Sequence, residues 1–149
     1  PAALEFAIWF HDVIYDPRAS DNEEQSARFA ADSLEGARDD LDARVSDLVL
    51  TTKTHLPGSI PDAALLIDID LSVLGKPAKR FDEYETAIRE EYSWVSMNVY
   101  CEKRAAILQS FLQRDRIFRT PFFFDRYEVQ ARQNLANSIE KLSKEETGH

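Results

Sequence analysis

His11 and Asp12 stand inside an otherwise apolar run, Phe6-Ala7-Ile8-Trp9-Phe10-His11-Asp12-Val13-Ile14-Tyr15-Asp16. An imidazole and a carboxylate placed where core residues would sit must be compensated, because a buried, unpaired carboxylate is costly or neutralises itself by a pKa shift. A bound cation is a natural partner for such a pair. Adjacent residues on a helix point about 100° apart, so both reach one ion only off the helix end or between their two directions. Further ligands must come from elsewhere. Asp68 and Asp70 interrupt the apolar stretch from Leu65 to Leu74. Two residues apart, they lie on different faces of a helix, which leaves one of them as a direct ligand.

The elements that must hold these groups read as helices. Only four glycines occur and few segments alternate with period two, while apolar residues recur at three- and four-residue spacing. The expected fold is all-α, a single compact bundle of about seven helices over residues 1–142, with a frayed tail over 143–149 that includes His149. A first helix over 2–14, apolar nearly all round and therefore central, ends before Asp16-Pro17 and carries His11 and Asp12 at its end. Asp21 with Glu24, or Ser20 with Glu23, forms a capping-box pattern for a second helix to about Glu35. A third, with Leu41, Val45, Leu48, Val49 and Thr52 on one face, stops near His55 because Pro57-Gly58 follow. Pro61 and Gly75 bracket a fourth, which contains Asp68 and Asp70. Pro77 opens a fifth, Ser96 caps a sixth, and Thr120-Pro121 begins a seventh.

Composition sets limits on function. A formal net charge of −9 argues against extended nucleic-acid binding, which neutralises phosphates with clustered Lys and Arg. Small nucleotides remain open, since a bound metal or a locally basic pocket can hold one phosphate. The lone Cys101 provides neither a disulfide framework nor a thiolate zinc site. With no apolar run of membrane-spanning length and no export signal, the expected setting is the cytoplasm, without a membrane partner. Exposed aromatics could support a homodimer. The chain opens on Pro1 and enters the first helix almost at once, so it reads as the body of a longer protein.

The strings Ala7-Ile8-Trp9-Phe10-His11-Asp12-Val13-Ile14-Tyr15-Asp16-Pro17, Asn22-Glu23-Glu24, Thr52-Lys53-Thr54-His55 and Asp68-Ile69-Asp70-Leu71-Ser72-Val73-Leu74-Gly75 carry a family resemblance in this order. Together they resemble a bacterial branch of the HD-domain superfamily of metal-dependent phosphohydrolases, and the similarity continues through Tyr84-Glu85-Thr86-Ala87-Ile88-Arg89-Glu90-Glu91-Tyr92. The resemblance implies a metal set of His, His-Asp and Asp, with His11, Asp12 and Asp70 at the last three positions. Only ten residues precede His11 and none is histidine, so the first ligand is expected upstream of Pro1. Asp68 would stand behind the ligands or stabilise its helix. The ion would be divalent, Mn, Mg, Co, Ni or Fe, in keeping with nitrogen and oxygen donors.

Such a site implies hydrolysis of a small phosphomonoester or a nucleotide-like phosphate by metal-activated water. Asp16 and Glu24 are candidates to orient or deprotonate that water. His55 is either a further ligand or phosphate contact, or a cationic cap on its helix, and Lys53 could likewise reach phosphate or serve the helix dipole. Arg89, Arg104 and Arg119 could clamp phosphate, although each also suits a surface or ion-pair role. The alternative function is a catalytically degenerate HD domain that senses a nucleotide or metal, or a helical interaction module, without turnover.

Overall fold

The computed structural model describes residues 2–148; Pro1 and His149 lie outside them. The fold is all-helical, with no strand among the described residues. The seven helices are α1 (Ala2–Phe10), α2 (Asn22–Ser33), α3 (Leu41–Thr54), α4 (Ala63–Leu71), α5 (Ala78–Glu91), α6 (Met97–Leu112) and α7 (Pro121–Thr147). Short 3-10 turns span Arg38–Asp40 and Ser72–Gly75. The chain divides into two compact units, Pro1–Asp70 and Leu71–His149.

In the first unit α1, α2 and α3 pack on one another. Alanines make the contact close: Ala3 and Ala7 on α1, and Ala27 and Ala30 on α2, are buried against Val45, Leu48 and Val49 of α3. Small side chains one turn apart let the helix backbones approach, and the larger apolar residues of α3 fill the remaining space. The expectation that α1 is central is corrected here. Its buried stripe is Ala3 and Ala7, while Phe6 is exposed and Trp9 is 80% exposed.

The expected end of that helix, near residue 14, is corrected too. The ring Nδ1 of His11 bonds to the Ile8 carbonyl at 2.9 Å, which is the acceptor that the Asp12 N–H would use in a continuing helix. Ser26 of α2, fully buried, then takes both peptide groups of Ile14, accepting from its N–H at 3.0 Å and donating to its carbonyl at 3.1 Å. The His11 N–H still bonds to the Ala7 carbonyl at 2.9 Å, and side-chain partners outcompete the helical ladder from residue 12 onward. The capping box at α2 does not form either: Asp21, at the N-cap, makes no side-chain bond to the N–H groups of the first turn, and its carboxylate instead accepts from the Gln25 side-chain amide at 2.9 Å. Ser96 sits at the start of α6, also without a side-chain cap bond.

In the second unit α6 and α7 form an antiparallel hairpin, with Cys101 opposite Glu145 and Leu112 opposite Arg132. The connecting loop is tied from within α7. Buried Glu128 accepts the N–H groups of Ile117 and Phe118 at 2.8 and 3.0 Å, and Arg132 donates to the carbonyls of Leu112, Arg114 and Asp115. The Ser72–Gly75 turn lies on α7, where the Asn134 amide donates to the Leu74 and Lys76 carbonyls at 2.9 and 2.8 Å. The segment from Ser143, read from the sequence as a frayed tail, is helical through Thr147. Buried Leu142, the Lys144–Glu140 pair at 2.7 Å and the Thr147 hydroxyl bonds to Ser143 and Lys144 carry the helix that far. No helix among the described residues is long and apolar enough to cross a membrane.

Candidate functional site

The first unit brings together His11, His55 and Asp70. His11 arrives at the end of α1, with its ring direction fixed by the Nδ1 bond to Ile8. Its Nε2 lies 3.3 Å from Asp70 Oδ1. His55 closes α3 in the left-handed conformation, φ 54°, with its N–H on the Thr51 carbonyl at 2.9 Å. A residue with a Cβ held there costs about 1 kcal/mol, a strain that glycine would avoid. From that position His55 Nε2 lies 2.8 Å from Asp70 Oδ2. One carboxylate therefore receives both imidazoles, one on each oxygen.

Asp70 sits in the last turn of α4 with a quarter of its side chain exposed, whereas Asp68 is fully buried. The two acids face different ways, as their spacing requires. Asp12, next to His11, is exposed, and its charge helps to hold the His11 proton.

The triad reshapes its own titration. The hydrogen bond to Asp70 lifts the pKa of His11 to about 9 against the pull of burial. Burial pushes Asp70 upward, but the bonds from His11 and His55 outweigh it and hold the carboxyl at about 2. The raised His11 value stabilises the fold fully below pH 6.5, and that contribution is lost as pH rises through 9. The depressed Asp70 value contributes above pH 3.8 and is lost as pH falls through 2. Metal-free protein is thus expected to be most stable between those limits. Between pH 6.5 and 9.5 it should lose about 2 kcal/mol after allowance for solvent screening. Urea unfolding with chelator across that range checks this, and His11→Gln should flatten the curve.

The other expected residues take different places. Lys53 at the end of α3 forms an ion pair with Glu24 of α2 and donates to the Ser20 carbonyl at 3.2 Å. The contact holds the Glu24 carboxyl below its usual range and the Lys53 ammonium above its own. Each charge answers the other, and nothing in the sequence signals a pair 29 residues apart. Asp16 is exposed and organises the turn into α2: its Oδ1 accepts the Arg18 N–H at 2.9 Å, and its backbone pairs with the Asn22 side chain. Arg89, in the second unit, donates to the Tyr92 and Val95 carbonyls beyond α5 and lies over the Tyr100 ring at 4.7 Å. Arg104 pairs with Glu85, the ion-pair role weighed for it from the sequence.

Two imidazole nitrogens and a carboxylate form a donor set suited to a divalent first-row cation. The Nδ1 anchor on a backbone carbonyl is the usual means of presenting Nε2 to a metal. Nitrogen-to-oxygen separations of 2.8 and 3.3 Å are also those of neighbouring ligands on one ion. The residues fit such an ion in chemistry and in the spacing of each imidazole from Asp70, although no group of three or more His, Cys, Asp or Glu converges as a metal-holding cluster among the described residues. No family model, curated protein or solved structure matches the chain.

Proposed function

We propose that the chain is an HD-type domain acting as a metal-dependent phosphohydrolase on a small phosphomonoester or nucleotide-like phosphate. The observation that carries this reading is the meeting of His11 and His55, from just beyond the ends of α1 and α3, on the partly open carboxylate of Asp70 in α4. His11, Asp12 and Asp70 would hold a divalent cation, Mn, Mg, Co, Ni or Fe, with His55 beside them. When bound, the ion acidifies a water and polarises the phosphoryl oxygen.

The protein's own groups do the rest. His11 must shed its Nε2 proton to become a ligand, so binding is weaker in acid and releases protons near neutrality. Asp70, ionised at all physiological pH values, supplies the fixed negative charge. Lys53 can meet substrate phosphate if its contact with Glu24 opens, which at the same time frees the Glu24 carboxylate to orient water. Asp16 is the weaker candidate for that role, because one oxygen is committed to its own turn. We place the protein in the cytoplasm.

A second reading, a metal or nucleotide sensor or a helical interaction module without turnover, is favoured by one observation. Both histidines spend Nε2 on Asp70, which leaves a closed hydrogen-bonded triad. Incubation with p-nitrophenyl phosphate and a nucleotide panel, with each divalent ion and with chelator, separates the two. Chelator-sensitive product supports the enzyme. Saturable binding in calorimetry without product supports the sensor.

A further inference from the structure

We propose that the second unit carries a separate binding site, between Arg89 and Glu145, for a small zwitterion such as an amino acid. A cavity of about 350 Å³ opens there among α5, α6 and α7. That is toward the small end of the range for small-molecule sites. Arg89 and Glu145 both line it, yet no ion pair joins them among the described residues. The Arg89 guanidinium is oriented by two neutral carbonyls and the Tyr100 ring, and among the described residues its charge forms no ion pair with a carboxylate. Among the described residues Glu145 has only the weak Cys101 thiol contact at 3.9 Å. Two residues of opposite charge thus line one cavity, with no ion pair between them among the described residues.

The cavity floor is polar. Glu85, which lines the cavity, forms an ion pair with Arg104, which does not, their side chains only 13% and 11% exposed, and Ser138 Oγ on the lining lies 3.5 Å from Glu85 Oε2. Burying such a pair carries a desolvation cost that an apolar pair would not, so stability alone gives little reason to place it there. A polar floor does orient a ligand in a concave site. Because Arg104 answers Glu85, the floor adds no net charge and leaves recognition to the rim. There Lys141 and Asp82, 3.2 Å apart, supply one more charge of each sign. A simple anion would meet Asp82 and Glu145, and a simple cation would meet Arg89 and Lys141. A molecule with a carboxylate at one end and an ammonium at the other satisfies both.

The test is thermal unfolding of the full chain with each of the common L-amino acids, followed by calorimetry on the best. At least one should raise the melting temperature and bind one to one. Its N-acetyl derivative and its carboxamide should each bind about tenfold more weakly or worse. Glu145→Gln, at an exposed position, should weaken binding by a similar factor while leaving the melting temperature of the free protein unchanged. His11→Ala should leave binding intact. No binding by any amino acid, equal binding of the N-acetyl form, or full affinity in Glu145→Gln would each overturn the proposal.

Discussion

His11→Ala is expected, under the proposed function, to lower metal-dependent phosphohydrolysis at least about a hundredfold, since loss of a side chain that holds the metal would exceed the 10- to 100-fold loss typical of supporting partners. Circular dichroism should change little, because His11 lies just beyond the last residue of α1 and is not part of a helix. Asp70→Asn should match it in activity and add a second signature. Without the carboxylate, the main cause of the raised His11 pKa is gone, so that imidazole should titrate closer to 6.5 by NMR. Lys53→Ala should act mainly through KM, as expected of a group that meets substrate phosphate. Undiminished turnover in His11→Ala would exclude the proposed site.

Gly75→Ala should destabilise the protein by about 3 kcal/mol or more, among the larger effects available to a single added methyl group. A Cβ at Gly75 would stand 2.5 Å from Tyr127 Cβ and 2.8 Å from the Tyr127 carbonyl oxygen. Those atoms belong to the stem of α7 and cannot swing aside, so the Ser72–Gly75 turn must lift off the helix. The Asn134 bonds to Leu74 and Lys76 would stretch with it. Gly58→Ala is the control: nothing lies within 4 Å of it, and only its φ of +55° opposes the change. That substitution should cost about 1 kcal/mol. Urea midpoints of the two variants check the contrast. Equal midpoints would show that the close approach at Gly75 is not what the turn depends on.

Much of the fold was legible because it follows from local signals. The stop at His55 is written in Pro57-Gly58, and Pro121 marks the first turn of α7. The end of α1 was not legible, because it is imposed by Ser26, twelve residues away, and by a histidine ring turned back on its own helix. The apolar surround of α1 suggests burial all round, but only Ala3 and Ala7 are fully buried, Leu4, Ile8 and Phe10 pack in part, and Phe6 and Trp9 stay exposed. At the site, the spacing of Asp68 and Asp70 correctly implied that they would part company, and the resemblance placed His11 and Asp70 in one set. The sequence leaves His55 balanced between cap and site; in the structure it ends α3 while its ring reaches Asp70. The Lys53–Glu24 pair was invisible for the reason most tertiary ion pairs are: its partners share no periodicity and come from different helices.

Metal content tests the central claim most directly. Purified protein and His11→Ala should be stripped, reconstituted separately with Mn, Co, Ni, Fe and Mg, freed of excess ion and measured by elemental analysis. The account predicts close to one ion per chain in the parent protein, lost in the variant. Absence of every ion from the parent protein after reconstitution would contradict it, leaving His11, His55 and Asp70 as a hydrogen-bonded structural triad.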